Sequence, residues 1–268
     1  MACIVLEWGG VNFRPLWMLL VFLLLGEGAR ADIPFEFHDG LVWVKVETPG
    51  RSFHFVLDSG AGSSLLNLQT AAALGLKMGR AVSVLGVGSR DGARYVEGFE
   101  GKLCDVPLGS SMLVMDLSVP SRACGRTIDG LIGADFFRGR IVEIDFKKRL
   151  IRLVEHSEAD APGSLRIIDR NGAFCVPIEV NGGKPAWVRL DTGCNTALQF
   201  VIDRHGAAGC AGAGEVRLGA ERLDGVKIGL HQREIFPGES GLLGTGILSK
   251  FKVTIDLKAN RLLLASAS

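Results

Sequence analysis

The chain has 268 residues, 47% hydrophobic and 22% charged, with a formal net charge of +1. That composition supports one large domain or two ordinary ones around a real core, and it argues against disorder. The balanced charge offers no basic face for nucleic acid and no polybasic membrane patch.

The first predicted element is a targeting segment. Arg14 precedes the apolar run 16–25, and Gly26-Glu27-Gly28-Ala29-Arg30-Ala31 ends in an Ala-x-Ala pattern. Ten apolar residues are too few to cross a bilayer comfortably. Residues 1–31 are therefore expected to be a signal peptide cleaved near Ala31, the other reading being a retained anchor or a buried helix. The mature chain is expected to be periplasmic or secreted, without an integral membrane span.

The mature part alternates short apolar runs with turns rich in glycine, a β pattern. Phe53–Leu57 predicts a strand that ends in Asp58-Ser59-Gly60, followed by small residues and a second apolar run. Thr70–Leu74 predicts a short helix. Residues 82–96 alternate apolar and polar around Gly88-Ser89-Arg90-Asp91-Gly92, which predicts a long hairpin. Leu131-Ile132-Gly133 then precedes strands over 141–146 and 150–153. Residues 155–163, polar with Pro162 and Gly163, read as a linker.

The order then repeats. Ala186–Leu190 leads into Asp191-Thr192-Gly193; Leu242-Leu243-Gly244 follows, with strands over 251–257 and 261–264. Asp58 to Asp191 is an offset of 133, whereas Gly133 to Gly244 and Asp145 to Asp256 are each 111. The first copy thus holds 22 extra residues (133 − 111), and the extra length is expected around the candidate hairpin. The expected domains are 32–155, the linker 156–163, and 164–268.

A single Asp-Thr-Gly is a common turn. Two copies, each closing an apolar strand, place two carboxylates where burial is costly, and a pseudo-twofold would bring them together. Such a pair shares a proton, so one member can act as base on a water while the other donates to a carbonyl oxygen. Asp58 and Asp191 are the candidate catalytic pair. Ser59 and Thr192 are expected to hydrogen-bond across the loops, and Gly60 and Gly193 to permit close approach.

These motifs, with the downstream apolar-apolar-Gly segments, resemble the aspartic protease superfamily of pepsin-like and retropepsin-like enzymes, and the resemblance covers about residues 33–266. It implies a small single-chain, two-lobed bacterial-type member: all-β, with two retropepsin-like barrel lobes about a pseudo-twofold axis and an active-site cleft between them. It implies an aspartic endopeptidase acting on an extended polypeptide under a hairpin flap. Gly88 and Tyr95 are the flap candidates, Tyr95 being equally readable as a strand residue packing on the sheet. The expected protein is a monomer with no cofactor. Its rivals are a catalytically inactive exported peptide-binding protein and an assembly that pairs lobes from different chains.

One departure is Cys194, which follows the second Asp-Thr-Gly where the first copy has Ala61. It could perturb the carboxylates or pair with Cys210; Cys104–Cys124 is another possible bridge, and connectivity stays open. Cysteine and histidine spacings match no metal site. No nucleophile elbow or dinucleotide fingerprint is present. Asp145 and Asp256, matched at the end of each repeat, are read as structural.

Overall fold

The computed structural model describes residues 32–86, 90–201 and 212–266. The predicted signal segment, the flap candidate Gly88, and Cys210 lie outside the described residues.

β1 (Asp32–His38), β2 (Leu41–Thr48) and β3 (Arg51–Leu57) form an antiparallel meander. Strand alternation builds it: Val44, Val46, Phe53, Phe55 and Leu57 are buried, while Lys45, Glu47 and His54 face water. β4 (Leu65–Asn67) and α1 (Leu68–Ala73) follow, the helix lying over the predicted segment. β5 (Ala81–Leu85) and β6 (Arg90–Val96) make the expected hairpin. After the short pair β7 (Lys102–Leu103) and β8 (Val106–Pro107) come β9 (Met112–Met115) and α2 (Ser118–Ala123). β9 joins the hairpin to the sheet by pairing β6 on one side and β4 on the other. β10 (Gly130–Ile132) inserts parallel to β3. α3 (Ala134–Phe137), β11 (Ile141–Asp145) and β12 (Leu150–Val154) close the copy.

The second copy runs through β13 (Leu165–Arg166), β14 (Ile168–Arg170), β15 (Ala173–Val180) and β16 (Ala186–Leu190). β17 (Leu198–Val201), β18 (Gly212–Leu218) and β19 (Glu221–His231) come next. β20 (Gly241–Leu243), α4 (Thr245–Leu248), β21 (Phe251–Asp256) and β22 (Arg261–Ser266) complete it. β20 is parallel to β16, with Leu190 opposite Leu243, as Leu57 is opposite Ile132 in the first copy.

Three helices escaped the expectation of strands and turns. α3 and α4 are four-residue turns directly after Gly133 and Gly244, too short to show helical periodicity. α2 lies on the surface, with Val119 exposed and Pro120 in its first turn, so it carries no apolar stripe.

The two copies meet through β11 and β21 in one sheet. Glu143 pairs with Thr254, its own counterpart at the offset of 111, and Ile141 pairs with Asp256, the counterpart of Asp145. A residue facing its own equivalent lies on a local twofold axis. β1 on β12 and β13 on β22 extend the pattern symmetrically outward. One buried apolar cluster runs through both copies, from Ile33 to Leu262, and includes Phe55, Phe137, Phe174 and Phe200. Each such side chain contributes about 1.5–3 kcal/mol over exposure, so the lobes share one core.

Asp145 and Asp256 stay out of the interior chemistry. Asp145 accepts the Lys148 amide at 2.8 Å, and Asp256 accepts those of Lys258 and Ala259 at 2.8 and 2.7 Å. Both cap the turn to the final strand, the structural role read from sequence.

Candidate active site

Each Asp loop leaves its strand under the same restraints. The Asp58 amide donates to Ile132 O at 2.8 Å and the Asp191 amide to Leu243 O at 3.0 Å. The Ala134 amide donates to Ala61 O, and the Thr245 amide to Cys194 O, each at 2.8 Å. The apolar-apolar-Gly segment thus clamps the loop that follows each aspartate. A Cβ on Gly133 or Gly244 would fall within about 2.3 Å of the loop backbone, so the clamp needs glycine.

The loops are stitched to each other by hydroxyls. Ser59 N donates to Thr192 Oγ1 at 2.9 Å and Thr192 N to Ser59 Oγ at 3.1 Å. Ser59 Oγ donates onward to Leu190 O at 2.8 Å, and Thr192 Oγ1 to Leu57 O at 2.7 Å. Both side chains are wholly buried. Gly60 and Gly193 let the carboxyls cross over: a Cβ on Gly60 would sit 2.4 Å from Asp191 Cγ, and one on Gly193 would sit 2.4 Å from Asp58 Cγ.

Asp58 and Asp191 therefore lie together, each carboxyl packed against the glycine of the other's loop. Burial raises the pKa of both above the ordinary carboxylate range. For Asp191 the neighbouring Asp58 charge adds to that rise and lifts it well above the usual value. Asp58 is better supplied with donors. Its Oδ1 accepts the Gly60 and Ala61 amides, each at 3.0 Å, whereas Asp191 Oδ1 accepts the Gly193 amide at 2.9 Å. The two carboxyls titrate as a coupled pair, with Asp191 raised further than Asp58.

Tyr95 lies at the base of the β5–β6 hairpin. Its amide and carbonyl bond to Arg80 and Gly79, and the Arg80 guanidinium stands 5.2 Å from its ring centroid. Cys194 packs on Ile235, Phe236 and Leu242, with Sγ 3.2 Å from Thr196 Oγ1. Burial, then the Asp191 charge, pushes its thiol pKa up. Cys104, Cys124, Cys175 and Cys194 are free thiols, so the possible Cys104–Cys124 bridge is not formed. Cys104 sits in the exposed β7–β8 turn, while Cys124 ends α2 against the Trp43–Leu117 cluster. Among the described residues no group of His, Cys, Asp and Glu could hold a metal, and no helix is long and apolar enough to cross a membrane.

Sequence reasoning missed Arg189. It is 3% exposed, two residues before Asp191, and forms a bidentate pair with the buried Glu239: Nε to Oε2 at 2.7 Å and Nη2 to Oε1 at 2.6 Å. Its Nη1 donates to Gly60 O at 2.8 Å, reaching the other Asp loop. Strand alternation sets Arg189 on the face opposite the core residues Val188 and Leu190, so nothing local in the sequence marks it as buried.

Comparison with known proteins agrees with this geometry. Residues 44–139 match a family described as "gag-polyprotein putative aspartyl protease". The fold is similar to the crystal structure of the aspartic proteinase from Irpex lacteus, with a TM-score of 0.59 at 12% identity, over 90% of this chain and 98% of that one. Residues 44–139 thus carry an aspartyl protease family match, and the chain has the fold of an aspartic proteinase. The family match covers the first Asp loop and the Leu131-Ile132-Gly133 clamp. The structural likeness spans both copies, and it establishes fold alone at such low identity. No curated protein matches the chain.

Proposed function

We propose that this chain is an active endopeptidase of the aspartic protease superfamily, with Asp58 as general base and Asp191 as general acid. The observation that carries the reading is the juxtaposition of the Asp58 and Asp191 carboxyls, each against the glycine of the other's loop, held by twofold-related loops. Asp58, with two amide donors, is the better anion and accepts a proton from water. The water oxygen bonds to the scissile carbonyl carbon while the Asp191 proton passes to the carbonyl oxygen. In the collapse Asp58 returns its proton to the amide nitrogen, Asp191 recovers one from the tetrahedral hydroxyl, and the C–N bond breaks. Atoms and protons balance without metal or covalent intermediate.

The substrate in this reading is an extended polypeptide lying between the lobes, with the β5–β6 hairpin as flap. Residues 32–155 and 164–268 are the two lobes. The chain acts outside the cytoplasm after loss of residues 1–31, as a monomer.

The asymmetry of the second loop, with one amide donor on Asp191 and Cys194 beside it, favours one rival: a binding protein that holds peptides without cutting them. Casein cleavage separates the two, as does titration with a statine peptide, whose hydroxyl mimics the tetrahedral centre. Cleavage that the statine peptide blocks supports the enzyme. Peptide binding without cleavage or statine affinity supports the rival.

A further inference from the structure

The repeat offsets reveal a substitution between the copies. Arg189 corresponds to Val56 (189 − 133) and Glu239 to Ile128 (239 − 111). In the first copy Val56 and Ile128 lie in one apolar cluster with Trp43, Leu65 and Leu117. In the second the same two places hold a buried ion pair. The Arg189 guanidinium lies against Phe236, 3.4 Å from the ring centroid, and Asn171 Nδ2 approaches Glu239 Oε1 at 3.3 Å. Replacing a buried ion pair by packed apolar residues is often neutral or stabilising, and the first copy holds apolar residues at these places. Of the five guanidinium N–H donors Glu239 takes two, and Nη1 gives another to Gly60 O in the opposite Asp loop.

We infer that Arg189, seated by Glu239, is a positioning residue for the dyad: it ties the Asp58 loop to the second lobe and sets one buried cation beside both carboxyls. Val56 makes no such reach toward the Asp191 loop, so the device is one-sided, in keeping with the unequal amide supply of the two aspartates. The Arg189 charge lowers the pKa of both carboxyls against the rise that burial imposes. The other ionisable groups facing this region are Glu239, Cys194, Cys175 opposite Arg189 on β15, and Asp169 and Arg170 on β14. The Cys175 thiol is pushed up to about 12 and stays neutral, and Arg170 Nη1 is occupied by Gly238 O. Glu234 accepts the Gly238 amide at 3.2 Å. Arg189 is thus the cation that bears on both carboxyls.

The inference rests on the endopeptidase reading, and two variants with opposite expected signs test it. Arg189→Val combined with Glu239→Ile restores the apolar pair of the first copy. It should remain folded, lose about tenfold to a hundredfold in kcat/KM, and show the acid limb of the pH profile displaced upward. Glu239→Gln leaves the Arg189 charge uncompensated and should displace the same limb downward. If the double variant fails to unfold cooperatively on heating, the downward displacement in Glu239→Gln decides alone. Limbs that stay put, or that move in one direction in both variants, overturn the inference even if activity falls. Carbon-13 titration of the two aspartate carboxyls reads the same shifts without turnover. Opposed titration shifts in a protein that cuts no substrate would sustain Arg189 and sink the endopeptidase, while unshifted titrations with cleavage intact would sink Arg189 alone.

Discussion

Ser59 and Thr192 each accept the other's backbone amide, at 3.1 and 2.9 Å, while donating to the carbonyl that precedes the opposite aspartate, Leu190 O and Leu57 O. Each hydroxyl is therefore both donor and acceptor across the twofold, and the four bonds fix the relative height of Asp58 and Asp191. Thr192→Val should orphan the buried Ser59 amide and Leu57 carbonyl at a cost of about 1–3 kcal/mol each. Urea unfolding checks the loss. Thr192→Ser should restore most of it, and a valine variant as stable as the wild type would contradict the account.

A methyl group at either loop glycine should separate the carboxyls. In Gly60→Ala the new Cβ meets Asp191 Cγ at 2.4 Å, and in Gly193→Ala it meets Asp58 Cγ at the same distance. Overpacking of this kind costs about 1–3 kcal/mol. Cleavage should fall by about a hundredfold or more in both, because the reacting groups are displaced by a large fraction of an ångström. Steady-state assays on an unfolded protein substrate measure it.

Asp58→Asn and Asp191→Asn should each reduce cleavage by about 10³-fold or more, within the range of lost acid–base catalysis. Circular dichroism should be unchanged, since asparagine keeps the shape and the backbone acceptor role. Full activity in either variant would remove the dyad from the chemistry.

The pH dependence of stability has a definite sign. A carboxyl whose folded pKa is raised binds its proton more tightly when folded, so its contribution is fully present below the ordinary value of 3.8. That contribution is lost as pH rises through the folded pKa. Asp191 is the larger contributor, burial coming first and the Asp58 charge second. Melting temperatures of the wild type should therefore decline from acid toward neutral pH more steeply than those of Asp191→Asn. Parallel curves would count against the shared proton.

Much of this protein was determined by sequence alone. The doubled Asp-Ser/Thr-Gly, the apolar-apolar-Gly segments and the offsets of 133 and 111 identify two copies, the 22-residue excess of the first and the paired aspartates. They do so because each motif is local: a strand, a turn and a clamp are encoded within a few residues of one another. Short helices such as α3 escape that reading because four residues carry no period. Tertiary structure decided the rest. It set Glu143 against Thr254 on the twofold, left Cys104 and Cys124 apart, and placed Tyr95 at the hairpin base. It also joined Arg189 to Glu239 and Gly60, groups separated by 50 and 129 residues. No pattern in one chain distinguishes a buried arginine with partners from an exposed one, because its partners exist only after the strands have paired.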